Sequence, residues 1–263
     1  MPGAGDERAE VKGNRKRKPK RAKVYTDLKT FLKADENTVT RERLLFHRFC
    51  FDMYLAAARR AYPLAVLSIE VDREGFDVVL DDGDRERRIQ LKAVDAKTAS
   101  WKTTKRFLRP EASLAQDLRF QPTIEGIGVG GAIVVMQYDP DAPDLSIKYL
   151  FCDAHILSAM AEGWVPRPKP RGRGRKPGSP HTAEQLLTLL NCGIGAEHIE
   201  VPKGLFVEAR GPEHLLALLE MHSPEDHQWC FMLRLRLGRQ YTPETHGPLE
   251  REIQKHLQQL IVV

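Results

Sequence analysis

The sequence has no run of about eighteen apolar residues, the length a helix needs to cross a bilayer. No apolar stretch follows its charged N-terminus, so a secretory signal is not expected. Cysteine is scarce. Cys50, Cys152, Cys192 and Cys230 stand far apart, and none belongs to a Cys-x-x-Cys pair. Neither a zinc ribbon nor a disulfide framework is indicated, and a reducing cytoplasm is the expected compartment. No internal repeat is visible, which sets solenoids and propellers aside.

At 263 residues the chain is long enough for one large core, or for a core with an appended subdomain. Hydrophobic residues make up 41% and charged residues 29%, the balance of a chain that buries a core in water. Net charge is +5, and its distribution says more than its total. Arg8, Lys12, Arg15, Lys16, Arg17, Lys18, Lys20, Arg21 and Lys23 face only Glu10 within residues 8–23. Arg167, Lys169, Arg171, Arg173, Arg175 and Lys176 form a second cluster, broken by Pro and Gly. Both read as basic arms, which bind a phosphate backbone by releasing its counterions. Nucleic acid, most simply double-stranded DNA, is therefore the expected partner, and a membrane is not.

Four regions are expected. Residues 1–23 read as a disordered basic tail, 24–163 as a folded core, 164–180 as a basic Pro/Gly linker or loop, and 181–263 as an α+β C-terminal subdomain. Within the core, Leu45, Phe46, Phe49 and Met53 recur at helical spacing. They predict a helix from Thr38 or Thr40 to about Tyr62, where Pro63 stops it. Strands are predicted at Leu64–Val71, Gly75–Leu80 and Arg88–Val94, with Asp81-Asp82-Gly83-Asp84 turning the last two into a hairpin. A basic stretch, Lys97–Arg109, follows, then a predicted helix over Pro110–Phe120. Strands at Ala132–Tyr138 and Ile147–Phe151 and a helix over Ala154–Ala161 complete the core. Past the linker the pattern predicts a helix at Ala183–Leu190, a strand at Leu205–Glu208, a helix from Pro212, a strand at Gln228–Leu235 and a final helix from about Pro248.

The chemistry gathers in the hairpin. Asp77 and Gln90 lie on its two strands, which stand about 5 Å apart. Gln90 and Lys92 are two residues apart and share a face, while Ile89 and Leu91 take the other. Glu42 borders the apolar stripe of the preceding helix, from where it can turn toward Asp77. This set suits phosphodiester hydrolysis. Asp77 would be the central ligand of a divalent metal, with Gln90 offering its side-chain oxygen and the Leu91 carbonyl within reach. Lys92 would orient the attacking water or stabilise the charged transition state.

Glu42, Gly75-x-Asp77 and Gln90-Leu-Lys92 together resemble the PD-(D/E)xK phosphodiesterase superfamily. The branch carrying Gln in place of the usual acid, as in Mrr-like restriction and other bacterial defence endonucleases, is the most similar. The resemblance implies a restriction-endonuclease-like αβββαβ core over about residues 36–151, in an α/β fold with a mixed sheet flanked by helices and an α+β C-terminal extension. It implies Asp77 and Gln90 at the metal positions, Lys92 as the catalytic lysine and Glu42 as the helix acid, with Mg²⁺ or Mn²⁺ as cofactor. It implies a DNA endonuclease of bacterial defence or restriction. No Pro precedes Asp77, Gln90 is neutral, and nothing after residue 152 is covered. The alternatives are a non-catalytic nucleic-acid-binding module on the same fold, or a protein-contact subunit, homodimeric or held in a defence or transposition complex.

Context singles out Gln90-Leu-Lys92. Glu10-Val-Lys12 falls in the tail, Asp27-Leu-Lys29 has no strand before it, and Asp95-Ala-Lys97 lies past the strand's end. Lys97, Trp101, Lys102, Lys105, Arg106 and Arg109 follow directly and are expected to grip phosphates, with Trp101 stacking on a base. Arg171, Arg173 and Arg175 would add further contacts. Gln116 is a lesser candidate, and Glu70 reads as a strand-end acid. Gly126-x-Gly128-x-Gly130-Gly131 precedes a strand rather than opening a helix, so it reads as a mobile loop and not a phosphate cradle. Seven of the nine histidines lie after residue 180, none paired at ligand spacing, and no HNH-type motif is present.

Overall fold

The computed structural model describes residues 27–68, 75–95, 98–120, 128–142, 145–165, 182–192, 198–221, 229–238 and 243–261. Both basic arms, and Glu70, Lys97, Arg171, Arg173 and Arg175 with them, lie outside the described residues. The chain opens with α1 (Leu28–Lys33) and α2 (Thr38–Arg59), then β1 (Ala65–Ser68), β2 (Val78–Asp81), β3 (Glu86–Asp95) and β4 (Ser100–Thr104). The one-turn helices α3 (Lys105–Leu108) and α4 (Ala112–Ala115) precede β5 (Ala132–Tyr138), β6 (Ile147–Cys152) and α5 (Ala154–Ala161). The remainder is α6 (Ala183–Asn191), β7 (His198–Pro202), β8 (Val207–Ala209), α7 (Pro212–Leu218), α8 (Trp229–Leu237) and α9 (Pro243–Ile261).

The architecture is α/β. A six-stranded mixed sheet in the order β1-β2-β3-β5-β6-β8 is flanked by helices, and β4 and β7 form a separate pair. β1, β2 and β3 make an antiparallel meander, and β3 then runs parallel to β5. Every residue of β5 is buried, as in a central strand covered on both faces. Asp82 ties the hairpin: its Oδ1 accepts the backbone N–H of Asp84 at 3.0 Å and of Arg85 at 2.8 Å. Gly83 supplies the φ of +89° that such a turn needs.

α2 buries Leu45, Phe49, Met53 and Ala56 along one stripe. It ends before Pro63, where Ala61 takes a φ of +58° and the Tyr62 amide returns to the Ala57 carbonyl at 3.2 Å. Phe49 meets Tyr149 of β6 edge-on, and the Tyr149 hydroxyl donates to Asp52 at 2.7 Å. Burial, with the Asp52 carboxylate beside it, pushes the Tyr149 phenol well up. In the pairing registers Ala93, Met136 and Tyr149 stand in one row. α2 therefore covers the face that carries Leu91 and Ala93, and Gln90 and Lys92 point to the other face.

Four expectations are corrected. Residues 181–263 are not a separate subdomain: β8 pairs with β6 in the main sheet, β7 pairs with β4, and α7 packs on α2. The strand expected over Gln228–Leu235 is helical from Trp229 onward. Trp229, Cys230, Leu233 and Leu237 are buried at helical intervals in α8, so packing resolves an alternating run that suits either period. The helix expected over Pro110–Phe120 is the single turn of α4, closed where Arg119 adopts a φ of +61°. The described part of the glycine segment is not a mobile loop. Val129, Gly130 and Gly131 donate their amides to the carbonyls of Arg106, Arg109 and Phe107 at 2.8–2.9 Å. A Cβ on Gly131 would lie 2.2 Å from the Phe107 ring. These amides are spent on protein carbonyls and do not point at a phosphate.

Candidate active site

Val78 pairs with Ile89, so the next residue outward on β2, Asp77, stands opposite Gln90. The Asp77 amide still joins the ladder, donating to the Ile89 carbonyl at 2.8 Å. Beyond it, side chains bridge the two strands. Asp77 Oδ2 accepts the Leu91 amide at 2.8 Å, and Gln90 Nε2 donates to the Gly75 carbonyl at 2.9 Å. That donation identifies the amide group of Gln90 and leaves Oε1 as its other end. Gln90 is only 7% exposed, and its Oε1 is buried without a hydrogen-bond partner. An unpaired buried acceptor costs about 1–3 kcal/mol, so this oxygen is poised for a cation or a donor from outside the protein.

Gly75, the first residue of the Gly75-x-Asp77 pattern, also shapes the site. Its φ is +88°, and a Cβ there would stand 3.5 Å from Thr104 Oγ1 and 3.8 Å from Phe107 Cβ. Thr104 caps α3 through the Phe107 amide, at 3.3 Å. The turn holding Lys105 and Arg106 is thus seated against the segment that orients Gln90.

Lys92 is half-buried and stands opposite Val135, on the Gln90 face. Further along that face Gln137 stands opposite Val94. Gln137 is 5% exposed, and Lys203, from the β7–β8 connection, donates to its Oε1 at 2.8 Å. The signal for Gln137 was a lone amide inside an apolar strand; Lys203 gave none.

Glu42 is exposed on α2, the helix on the opposite face, and no hydrogen bond or ion pair joins it to a described residue. It is not drawn to Asp77 as expected. Choice of sheet face, which a helical pattern does not encode, is the reason. Trp101 is also corrected. It is 5% exposed and packs edge-on against Phe206, with centroids 4.7 Å apart, so its ring is not offered to a base. Lys102, beside it on β4, is exposed in register with Glu200. Lys105 Nζ lies 3.4 Å from the Cys192 carbonyl, Arg106 is exposed and Arg109 is half-buried. Gln116 C-caps α4. Asp27 N-caps α1 through the Thr30 amide, which removes Asp27-Leu-Lys29 as a rival, and Asp95 ends β3.

The donor set suits a hard cation. Asp77 offers a carboxylate, Gln90 an unsatisfied amide oxygen, and the Leu91 carbonyl points to the same side of β3 as the amide Asp77 accepts. Mg²⁺ takes one or two carboxylates and keeps several waters, which fits so small a set. Among the described residues no group of three or more His, Cys, Asp and Glu could hold a metal, so a site here draws on neutral oxygens as well.

A second polar cluster lies under the other face. Arg87 of β3 donates to Asp153 at 2.8 Å, and Asp153 caps α5 through the Ile156 amide at 2.8 Å. Burial alone would raise the Asp153 carboxyl, but His155, Arg87 and the Ile156 amide together hold it down at about 2.

Compared with protein-family models, with curated proteins and with solved structures, the chain matches none. Among the described residues no helix is long and apolar enough to cross a membrane.

Proposed function

We propose that this chain is a metal-dependent endonuclease that hydrolyses phosphodiester bonds of DNA. It would be of the restriction-endonuclease-like kind, similar to the PD-(D/E)xK branch with Gln at the second position. The observation that carries the reading is the pairing of Asp77 with Gln90, whose buried Oε1 lacks a protein partner, beside Lys92 on the same face. The order of α2, the β1–β2–β3 meander and the parallel β5 supports that reading; β4 and the one-turn helices α3 and α4 stand where the implied core has a single helix. The net charge and the two basic clusters supply attraction for a phosphate backbone.

Bound Mg²⁺ or Mn²⁺ supplies charge neutralisation at the phosphate and an acidified water. Asp77 and Gln90 Oε1 would hold that ion. Asp77 is itself fixed by the Leu91 amide, so the carboxylate is set before substrate arrives. The Lys92 ammonium orients the attacking water and offsets negative charge growing on the phosphoryl oxygens. Lys102 and Arg106 contact flanking phosphates. Water adds to phosphorus as the P–O bond to the leaving strand breaks; the proton it loses passes to solvent, and the leaving oxygen takes up a proton from solvent water.

The test is cleavage of supercoiled plasmid with Mg²⁺ or Mn²⁺. Asp77→Ala and Lys92→Ala should each reduce cutting by about a hundredfold or more while DNA binding stays within a few-fold, as expected for groups acting on the transition state. Variants that both cut like the parent would overturn the site. One observation favours a second reading, a non-catalytic nucleic-acid-binding module: Asp77 is the only carboxylate of the donor set. DNA binding without cleavage in either metal would support it.

A further inference from the structure

A cleft of about 670 Å³ opens at the far end of α2, where the β8–α7 corner and the end of α9 meet it. β8 stands three strands from β3, about 14 Å at ordinary strand spacing, so this cleft is separate from Asp77 and Lys92. Its lining is cationic. Arg59 and Arg60 come from the end of α2 and Arg210 from the corner, joined by His214 and His256. Glu213 is the one carboxylate among the residues lining it, and Arg59 takes it at 3.3 Å.

Arg60 caps the end of α2, is half-buried, and has no ion pair with a described residue. Arg210 is held in place. Its Nη2 lies 3.3 Å from the Gln259 carbonyl and 3.5 Å from that of Leu260, and its backbone amide donates to His214 Nδ1 at 2.9 Å. With Nδ1 accepting, His214 donates from Nε2 to the Leu260 carbonyl. Burial holds this imidazole below its ordinary value, and the charges of Arg210 and Arg60 press it the same way, against the Leu260 bond. Two guanidinium charges thus converge on one imidazole, and the single carboxylate nearby is already committed to Arg59.

Such a cleft suits an anion. Guanidinium forks match phosphate oxygens in pairs, which a lysine cannot do. The volume falls within the range of small-molecule sites, about 300–1,000 Å³. Among the described residues no Phe, Tyr or Trp lines it, so they offer no broad platform for stacking a base, and recognition runs through charge.

We propose that this cleft binds a phosphorylated small molecule through its phosphate groups, with Arg60 and Arg210 as the anion contacts. The proposal does not depend on nuclease activity.

The test is calorimetric titration of the whole chain, at low salt and without divalent metal, with inorganic pyrophosphate and, separately, with a short DNA duplex. Pyrophosphate should bind saturably at one site and raise the melting temperature. Arg60→Glu should weaken it at least tenfold, and Arg60→Lys by less. Arg251→Glu makes the same charge change on α9, outside the lining, and should leave pyrophosphate affinity within about twofold. Absence of saturable pyrophosphate binding would overturn the proposal, as would an Arg60→Glu chain that binds like the parent. So would dependence on Arg60 for duplex alone, since the cleft would then be a nucleic-acid backbone contact.

Discussion

Asp77 accepts the Leu91 amide at 2.8 Å, in the place where the next rung of the β2–β3 ladder would fall. A carboxylate here does the work of a backbone carbonyl, so its position is set by the sheet. Asp77→Asn keeps an acceptor for Leu91 and loses only the charge. It should melt within a few degrees of the parent and still fail to cut, which plasmid nicking and a thermal melt check together.

Gln90→Glu separates the two roles of that side chain. The new carboxylate can no longer donate to Gly75, which should cost about 1–2 kcal/mol of stability. It also adds the charge the site lacks. The Mg²⁺ concentration for half-maximal cutting should fall while the denaturant midpoint falls with it. An unchanged metal requirement would detach Gln90 from the metal.

Glu42→Ala should change cutting by less than about threefold, because an exposed residue without a partner acts only through a weak, screened field. A loss as large as that of Asp77→Ala would restore Glu42 to the site.

Acid should loosen the molecule through Asp153. Its carboxyl is held at about 2, against 3.8 as the ordinary value, so the folded state gains stability above the ordinary value. That gain is lost as pH falls from about 4 through about 2, and amounts to roughly 2 kcal/mol. Asp153→Asn can still cap α5 and should flatten this part of the stability–pH curve, read by urea unfolding between pH 2 and 6.

Gly131→Ala should destabilise by roughly 2–4 kcal/mol, since the new methyl meets the fully buried Phe107 ring. The same shift would disturb α3 and Gly75, so cutting should drop with stability.

The hairpin was legible because its turn is chemical: Asp82 and Gly83 can make few other structures. With the turn placed, Asp77 opposite Gln90 follows by counting. α5 was legible end to end, since Asp153 caps an uninterrupted apolar helix. β4 was hidden by Lys102 within a basic stretch, although Trp101 and Thr103 alternate inward, and its partner β7 lies about a hundred residues on. α8 was misread because Leu233-Arg234-Leu235-Arg236-Leu237 alternates like a strand. At the site, the hydrogen bond from Gln90 to the Gly75 carbonyl depends on a backbone angle that the letter Gly permits but does not announce. The side of the sheet taken by α2 decided Glu42, and local pattern holds no record of it.

β6 and β8 are neighbours in one sheet, and β4 and β7 in another, although the basic segment around residues 166–181 separates each pair along the chain. A single cut in that segment would yield two fragments still stitched together by strand pairing, and neither half would be a self-sufficient protein.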